Sequence, residues 1–296
     1  MSTPEPAPSA QPARDFDEAS ARFAALAARD GPDIAPTGRS RFFEHGRRTP
    51  LAVVLLHGFT NAPEQWVQFA ARLHGRGHSV VIPRLPGHGR SDRDATPVAR
   101  VSAAAYLSIA SEAADIALGC GERVVVAGLS LGGTLAVRIA QDRHDIARVV
   151  AIVPLFGVFN LGALFNSVLA TALGAWPNTS VPWDPSGNPR STPPHAYPKF
   201  PTRGLAVAMR LGLGVYRSAP RRVPAARTTM LLNAREPAVS NPLSDAVASR
   251  FTAARAGAAD VVVLEDLPEN HDIIDPTNPH ERVAEVYPRV EQLIEN

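Results

Sequence analysis

Residues 51–56 read LAVVLL, an apolar run with no polar position on either alternating face. A strand made from it has to be buried on both sides, which places it inside a sheet covered by helices above and below. The surrounding sequence supplies those helices. From about residue 40, short apolar runs alternate with segments of helical period: strand 41–44, strand 51–56, helix 63–73, strand 80–82, helix 101–118, strand 124–127, helix 131–141 and strand 149–153. Trp66, Phe69, Ala70 and Leu73 form the stripe of the helix at 63–73. Such alternation implies a mostly parallel sheet with right-handed crossovers. It breaks at 156–225, where helix-like pieces at 159–173 and 204–216 flank a proline-dense stretch, 177–201, that is unsuited to a regular sheet. Strands resume at 228–232 and 261–264. A last helix is expected from Asn278-Pro279, with Val283, Val286, Val290 and Leu293 on one face and Pro288 kinking it or ending its first half. The chain thus divides into 1–39 (a tail and an N-terminal helix), 40–155 and 226–296 (the two parts of an α/β core), and 156–225 (a cap inserted between them).

With 296 residues, 45% hydrophobic and 20% charged, the chain can bury a sizeable core. Thirty basic residues against twenty-eight acidic ones leave a net charge of +2, and no basic run is present. This balance points away from nucleic acid and from stable membrane insertion. No stretch reaches the roughly 18–20 apolar residues of a membrane-spanning helix. Cys120 is the only cysteine, so neither an intrachain disulfide nor a cysteine-rich metal site can form, and no histidine is placed to activate it. Residues 1–14 read as a disordered tail without the pattern of a secretion signal, which sets the expectation of a cytoplasmic protein. Residues 15–29 read as a helix whose Phe16, Phe23, Leu26 and Ala27 face the parent domain.

The sharpest motif is Gly128-Leu129-Ser130-Leu131-Gly132-Gly133, set between strand 124–127 and the helix after it. A serine at such a junction sits on a tight, strained turn, with glycines where side chains would clash and a helix N-terminus beneath it. Its hydroxyl then stands at the carboxyl edge of the sheet, where open α/β sheets bind ligands. A serine nucleophile needs a base, an acid to orient the base, and donors for the developing oxyanion. His271 lies just past the last strand and is the one histidine both late in the chain and at a strand's carboxyl end. Glu236 follows strand 228–232 and is the favoured acid, with Asp245 and Asp266 as rivals. The backbone N–H groups of Phe59, in His57-Gly58-Phe59-Thr60, and of Leu131 would bind the oxyanion. His57 reads as a buried residue that shapes its loop. No group has zinc spacing, and no Gly-x-Gly-x-x-Gly pattern follows a strand.

In these motifs, and in Pro83-Arg84-Leu85-Pro86-Gly87-His88-Gly89, the chain from about 40 to 294 resembles the α/β-hydrolase family, in its carboxylesterase and monoacylglycerol lipase branch. The resemblance implies an eight-stranded, mostly parallel sheet with one antiparallel strand and a cap inserted after the sixth strand. It also implies acyl-enzyme hydrolysis of a small-molecule ester without metal or organic cofactor. Aspartate is usual in that family where this chain has Glu236. Within the cap, Phe156, Phe159, Trp176 and Trp183 could face an acyl chain or serve the cap's own packing. The same triad could cleave a thioester, an amide or a carbon–carbon bond. Ser130 argues against dehalogenase or epoxide hydrolase chemistry, and an intact Ser130, Glu236 and His271 against a non-catalytic binding module.

Overall fold

A computed structural model describes residues 8–186, 188 and 192–296. In chain order the elements are α1 (Phe16–Ala27), β1 (Arg41–Phe43), β2 (Thr49–Leu56), α2 (Glu64–Gly75), β3 (Ser79–Ile82), α3 (Ala103–Cys120), β4 (Gly121–Leu129), α4 (Leu131–Ala140) and β5 (Arg148–Ile152). Next come α5 (Ala163–Ala175), β6 (Ser180–Pro182), β7 (Lys199–Pro201), α6 (Thr202–Ser218), β8 (Arg227–Asn233), α7 (Asn241–Ala254), β9 (Ala259–Leu264) and α8 (Val283–Glu295).

The main sheet runs β1-β3-β2-β4-β5-β8-β9, and only β1 is antiparallel to its neighbour. Residues Leu51 to Leu56 are all buried, as a strand with no polar face requires. The sheet has seven strands among the described residues rather than the eight the resemblance implies, and the insertion therefore follows the fifth sheet strand, not the sixth. The described chain before β1 contributes a helix, α1, and no strand. Asp15 caps α1 by accepting from Glu18 N–H at 2.9 Å. Phe16 then stacks on Phe42 of β1 and Phe23 packs tilted against the same ring, while Ala19 and Leu26 are buried.

Residues 1–7 of the expected tail lie outside the described residues. The rest of it is not free: Gln11 N–H donates to Asp115 Oδ1 at 3.1 Å, Ala13 N–H donates to the Asp115 carbonyl at 3.0 Å, and Ala13 is buried against α3. Helix α8 starts later than the Asn278-Pro279 pair suggests, because Asn278 Oδ1 accepts from His280 N–H and closes a separate turn. The helix then continues through Pro288 to Glu295. The carbonyl that Pro288 leaves unpaired belongs to exposed Ala284, where water can satisfy it.

Two parts of the insertion behave differently. Helix α6 buries Ala208, Leu211 and Val215, and a Cβ on Gly212 would meet the Leu155 carbonyl at 2.0 Å, so α6 is seated directly on the loop after β5. Helix α5 lies over α6 and leaves Leu164, Phe165 and Val168 exposed. The proline-dense stretch forms a three-residue antiparallel ribbon, β6 with β7. Among the described residues, no helix is long and apolar enough to cross a membrane.

Candidate active site

Ser130 sits between the end of β4 and the start of α4 with φ 56° and ψ −114°, a conformation L-residues avoid. It persists because the chain on both sides is pinned. Ser130 N–H donates to the Ile152 carbonyl at 2.9 Å, and the Ser130 carbonyl accepts from Thr134 N–H at 3.0 Å and Leu155 N–H at 3.2 Å. A Cβ at Gly128 would lie 2.3 Å from the Gly132 carbonyl carbon, and one at Gly132 would lie 2.0 Å from the Leu56 carbonyl oxygen, so no other residue fits at either place. Leu131 opens α4, and its N–H belongs to the first turn, whose donors have no partner inside the helix. Ser130 is only 3% exposed.

His271 and Glu236 come from the loops after β9 and β8, at the same edge of the sheet as Ser130. His271 Nδ1 donates to Glu236 Oε1 at 2.8 Å, which leaves Nε2 as the acceptor. Glu236 reaches despite its longer arm because residues 236–239 fold back on it: Oε1 also accepts from Ala238 N–H at 2.7 Å and Val239 N–H at 3.2 Å. Glu236 Oε2 is buried with no protein donor, so the histidine proton is the strongest partner this carboxylate has. Burial alone would lower the His271 pKa, but the Glu236 carboxylate, by charge and hydrogen bond, and the nearby Asp272 more than offset it and raise it. The ring is 26% exposed, open on one side. Asp245 and Asp266, the rival acids, are both exposed. Asn233, the last residue of β8, donates through Nδ2 to the carbonyls of Pro268 at 3.0 Å and Asn270 at 2.8 Å, and so carries the His271 loop. Its only sequence signal was a polar residue ending a buried strand.

The loop carrying Phe59 is held by two histidines acting reciprocally. His57 Nε2 accepts from Leu85 N–H at 3.0 Å, and His88, from the facing loop, accepts at Nε2 from Thr60 N–H at 3.1 Å. Each then donates from Nδ1 to a carbonyl of its own loop, Gly58 at 3.0 Å and Pro86 at 2.9 Å. Both rings are therefore neutral. Burial drives the His57 pKa well down, helped by the proximity of His88, and drives that of His88 to about 4. His57 thus shapes its loop, as read from the sequence, whereas the matching role of His88 was hidden in a Gly-His-Gly turn.

Thr60, at φ 64°, joins this loop to the insertion. Its carbonyl accepts from Tyr197 N–H and its hydroxyl from Trp183 Nε1–H, each at 2.8 Å. The Trp183 ring meets Phe59 edge-on at 6.4 Å and packs on Phe200 at 4.4 Å. Of the other cap aromatics named from sequence, Phe156 is wholly enclosed in the core, while Phe159 and Trp176 are 57% and 71% exposed. Among the described residues, no group of three or more His, Cys, Asp or Glu side chains could hold a metal ion. Cys120 is buried, and burial pushes its thiol up to about 12, so it is not a reactive thiolate.

A parallel sheet interrupted by an insertion, with a strained serine at a strand–helix junction and a histidine–carboxylate pair at the same edge, defines the α/β-hydrolase class of protein. The chain belongs to the alpha/beta hydrolase family, whose model matches residues 53–286. A thermostable monoacylglycerol lipase of Bacillus sp. (strain H-257) is 32% identical over 103 residues, 35% of this chain and 40% of that protein. An uncharacterized protein of Mycobacterium tuberculosis is 32% identical over 133 residues, 43% of this chain and 37% of that protein. The chain therefore spans less than half the length of these curated relatives. Among solved structures, a soluble variant of monoglyceride lipase from Saccharomyces cerevisiae superposes with TM-score 0.69 at 13% identity, covering 87% of this chain and 90% of that one. A monoacylglycerol lipase from Paleococcus ferrophilus does so with TM-score 0.62 at 22% identity, covering 86% and 98%. At these identities the structural likeness speaks for the fold.

The histidine clasp has a pH signature. Between the ordinary histidine value and about 4, the unfolded chain binds a proton that folded His88 refuses. Stability conferred by neutral His88 is therefore present above about pH 6.5 and lost toward pH 4, up to about 3 kcal/mol. Asp272, raised to about 6 chiefly by burial, works in the opposite sense, so the test is a difference. Gln at position 88 can accept from Thr60 but has no proton to gain. Thermal melts at about pH 7 and pH 5 should show a smaller loss of Tm in His88→Gln than in wild type. Equal losses would contradict the clasp.

Proposed function

We propose that this protein is a serine hydrolase that cleaves carboxylic esters through an acyl-enzyme on Ser130. The observation that carries the reading is the 2.8 Å hydrogen bond from His271 Nδ1 to Glu236 Oε1, made at the sheet edge where Ser130 turns. It fixes the tautomer in which Nε2 can take a proton. In the proposed sequence, Ser130 Oγ attacks the ester carbonyl as His271 Nε2 removes its proton. The N–H groups of Phe59 and Leu131 hold the oxyanion, and Glu236 stabilises the imidazolium. His271 gives the Ser130 proton to the leaving oxygen as the ester C–O bond breaks and the alcohol departs; the same histidine then deprotonates water, which attacks the acyl-enzyme, and returns the proton to Ser130 Oγ as the acid is released. The reaction uses no metal and no organic cofactor.

Several features support an ester with an apolar acyl chain. The monoacylglycerol lipases among the similar proteins are one. The aromatic wall of Trp183, Phe59 and Phe200 beside the proposed oxyanion donor is another. A monoacylglycerol or a medium-chain acyl ester fits that wall.

Ser130→Ala should remove ester hydrolysis and labelling by a fluorophosphonate while leaving the melting curve in place; unchanged turnover would end the assignment. The His271 pKa gives a second test, because the base works only when neutral. Its raised value puts the acid limb of kcat/KM above the ordinary histidine midpoint of about 6.5. Glu236→Gln should lower both that midpoint and the rate, the latter by up to about 10⁴-fold. A midpoint that does not move would remove Glu236 from the acid role. For the acyl site, Trp183→Ala should shift the preferred length across a series of p-nitrophenyl esters. An identical chain-length profile would show that Trp183 does not border the acyl chain.

A further inference from the structure

The proposed base and one proposed oxyanion donor sit on loops from opposite sides of β4, and something must set the distance between them. Gln65, in the first turn of α2 and fully buried, touches both loops. Its Oε1 accepts from Gly58 N–H at 2.9 Å, and its Nε2 donates to Asp272 Oδ2 at 2.7 Å. Gly58 directly precedes Phe59, and Asp272 directly follows His271. One carboxamide therefore bridges the immediate neighbours of two groups that must face the same carbonyl.

We propose that Gln65 is a positioning residue of this site, its carboxamide fixing the spacing between the loop that bears Phe59 and the loop that bears His271. The inference rests on the hydrolase reading above. The bridge has one workable polarity. Turned over, the carboxamide would set its oxygen against a carboxylate and its NH2 against a backbone N–H. By accepting from Gly58, Gln65 also fixes the peptide plane that precedes the Phe59 N–H. Both ends are anchored. Asp272 Oδ2 accepts a second bond from Asn61 Nδ2 at 2.8 Å, while Oδ1 accepts from Asp275 N–H at 3.2 Å and closes the turn after His271. Asp275 in turn pairs with His195 of the insertion at 2.8 Å. Burial and the neighbouring Asp275 carboxylate raise the Asp272 carboxyl to about 6, and the Gln65 hydrogen bond works against that rise, favouring the ionised acceptor.

Two variants separate positioning from packing. Gln65→Met keeps length and volume but makes neither hydrogen bond, and Asn61 still holds Asp272. Gln65→Glu reproduces acceptor and donor only while protonated; once ionised it confronts Asp272 across about 3 Å, where two carboxylates share a single proton. The other groups facing that pair are His271, Asp275 with His195, and the Tyr287 phenol, whose O–H donates to the Ile274 carbonyl at 2.9 Å. The full chain, wild type and each variant, is assayed on p-nitrophenyl butyrate with a thermal melt alongside.

Gln65→Met is expected to lose about 10- to 100-fold in kcat with KM within about threefold, as misplacement of reacting groups by an ångström does. For Gln65→Glu, kcat relative to wild type is expected to fall at least about tenfold from pH 5.5 to pH 8 as the shared proton is lost. A folded Gln65→Met with wild-type kcat overturns the proposal. Should that variant fail to fold, a flat pH ratio for Gln65→Glu overturns it instead. Wild type with no esterase activity, or Ser130→Ala as active as wild type, refutes the hydrolase reading and the role of Gln65 with it. Loss in Ser130→Ala alone leaves the hydrolase reading standing without the bridge.

Discussion

The strained turn at Ser130 exists only because two backbones come closer there than side chains permit. Gly128 and Gly132 face each other across the turn, and Gly132 also lies against the Leu56 carbonyl of β2. A left-handed, non-glycine residue costs of order 1–3 kcal/mol and would relax if its surroundings allowed it. They do not. The amide of Ser130 is bound to the end of β5, and its carbonyl is shared between α4 and the loop after β5. The cost is thus carried by the sheet, with its long run of fully buried valines and leucines. Everything else at the carboxyl edge is arranged around a serine that cannot relax.

That arrangement is made by side chains of one loop gripping the backbone or side chains of another. His57 and His88 exchange hydrogen bonds between two loops, Asn233 holds the loop of His271, and Glu236 gathers its own turn around the histidine proton. Loops normally fray at the surface because their backbone groups bond water. Here the backbone donors and acceptors are taken by buried polar side chains. A buried polar group left unpaired is costly, so each of these contacts resists small displacements. The price of such order is a high density of buried polar atoms at one end of the molecule, tolerable because nearly all have partners.

The sequence was most legible where structure is local. Apolar runs located the strands to within a few residues, since a run such as 51–56 has only one place to go. The glycines of the turn after β4 and the polar residues past β8 and β9 were readable for the same reason: each signal lies within a few residues of the element it ends. What was not legible depends on partners distant in sequence. Nothing within residues 8–14 shows that Ala13 and Gln11 bind Asp115. The Asn278-Pro279 pair looked like a helix start, yet Asn278 caps only a turn. Among the described residues the eighth strand implied by family resemblance is absent, and the helix that precedes β1 docks on Phe42 instead. Gln65 gave no sign of its bridge, since a glutamine beside Trp66 on a buried face looks like any boundary residue until Gly58 and Asp272 are seen on either side of it.

The insertion shows the same logic at a larger scale. A lid hinged at its two ends would touch the core through apolar contacts that slide. This one is fastened by directional bonds to at least four loops, one of them the loop after β3, where Tyr197 O–H donates to the Gly87 carbonyl at 2.9 Å and Arg93 Nε donates to the Ala196 carbonyl at 3.0 Å. Trp183 and Tyr197 bond to Thr60, His195 to Asp275 in the His271 loop, and Phe159 N–H to the Ala238 carbonyl in the Glu236 loop at 2.8 Å. Of its exposed large apolar residues, Leu164, Phe165 and Val168 lie on α5, which makes none of these contacts. Helix α5 packs on α6, where Arg210 donates to the Ala170 carbonyl at 3.1 Å and Arg217 to Ser167 Oγ at 2.7 Å. Directional bonds break abruptly and apolar contacts yield gradually. The tie between α5 and the polar frame around Ser130 is directional, because Asn166 Oδ1 accepts from Val158 N–H at 2.7 Å, Val158 pairs with Val239, and Val239 N–H binds Glu236 Oε1.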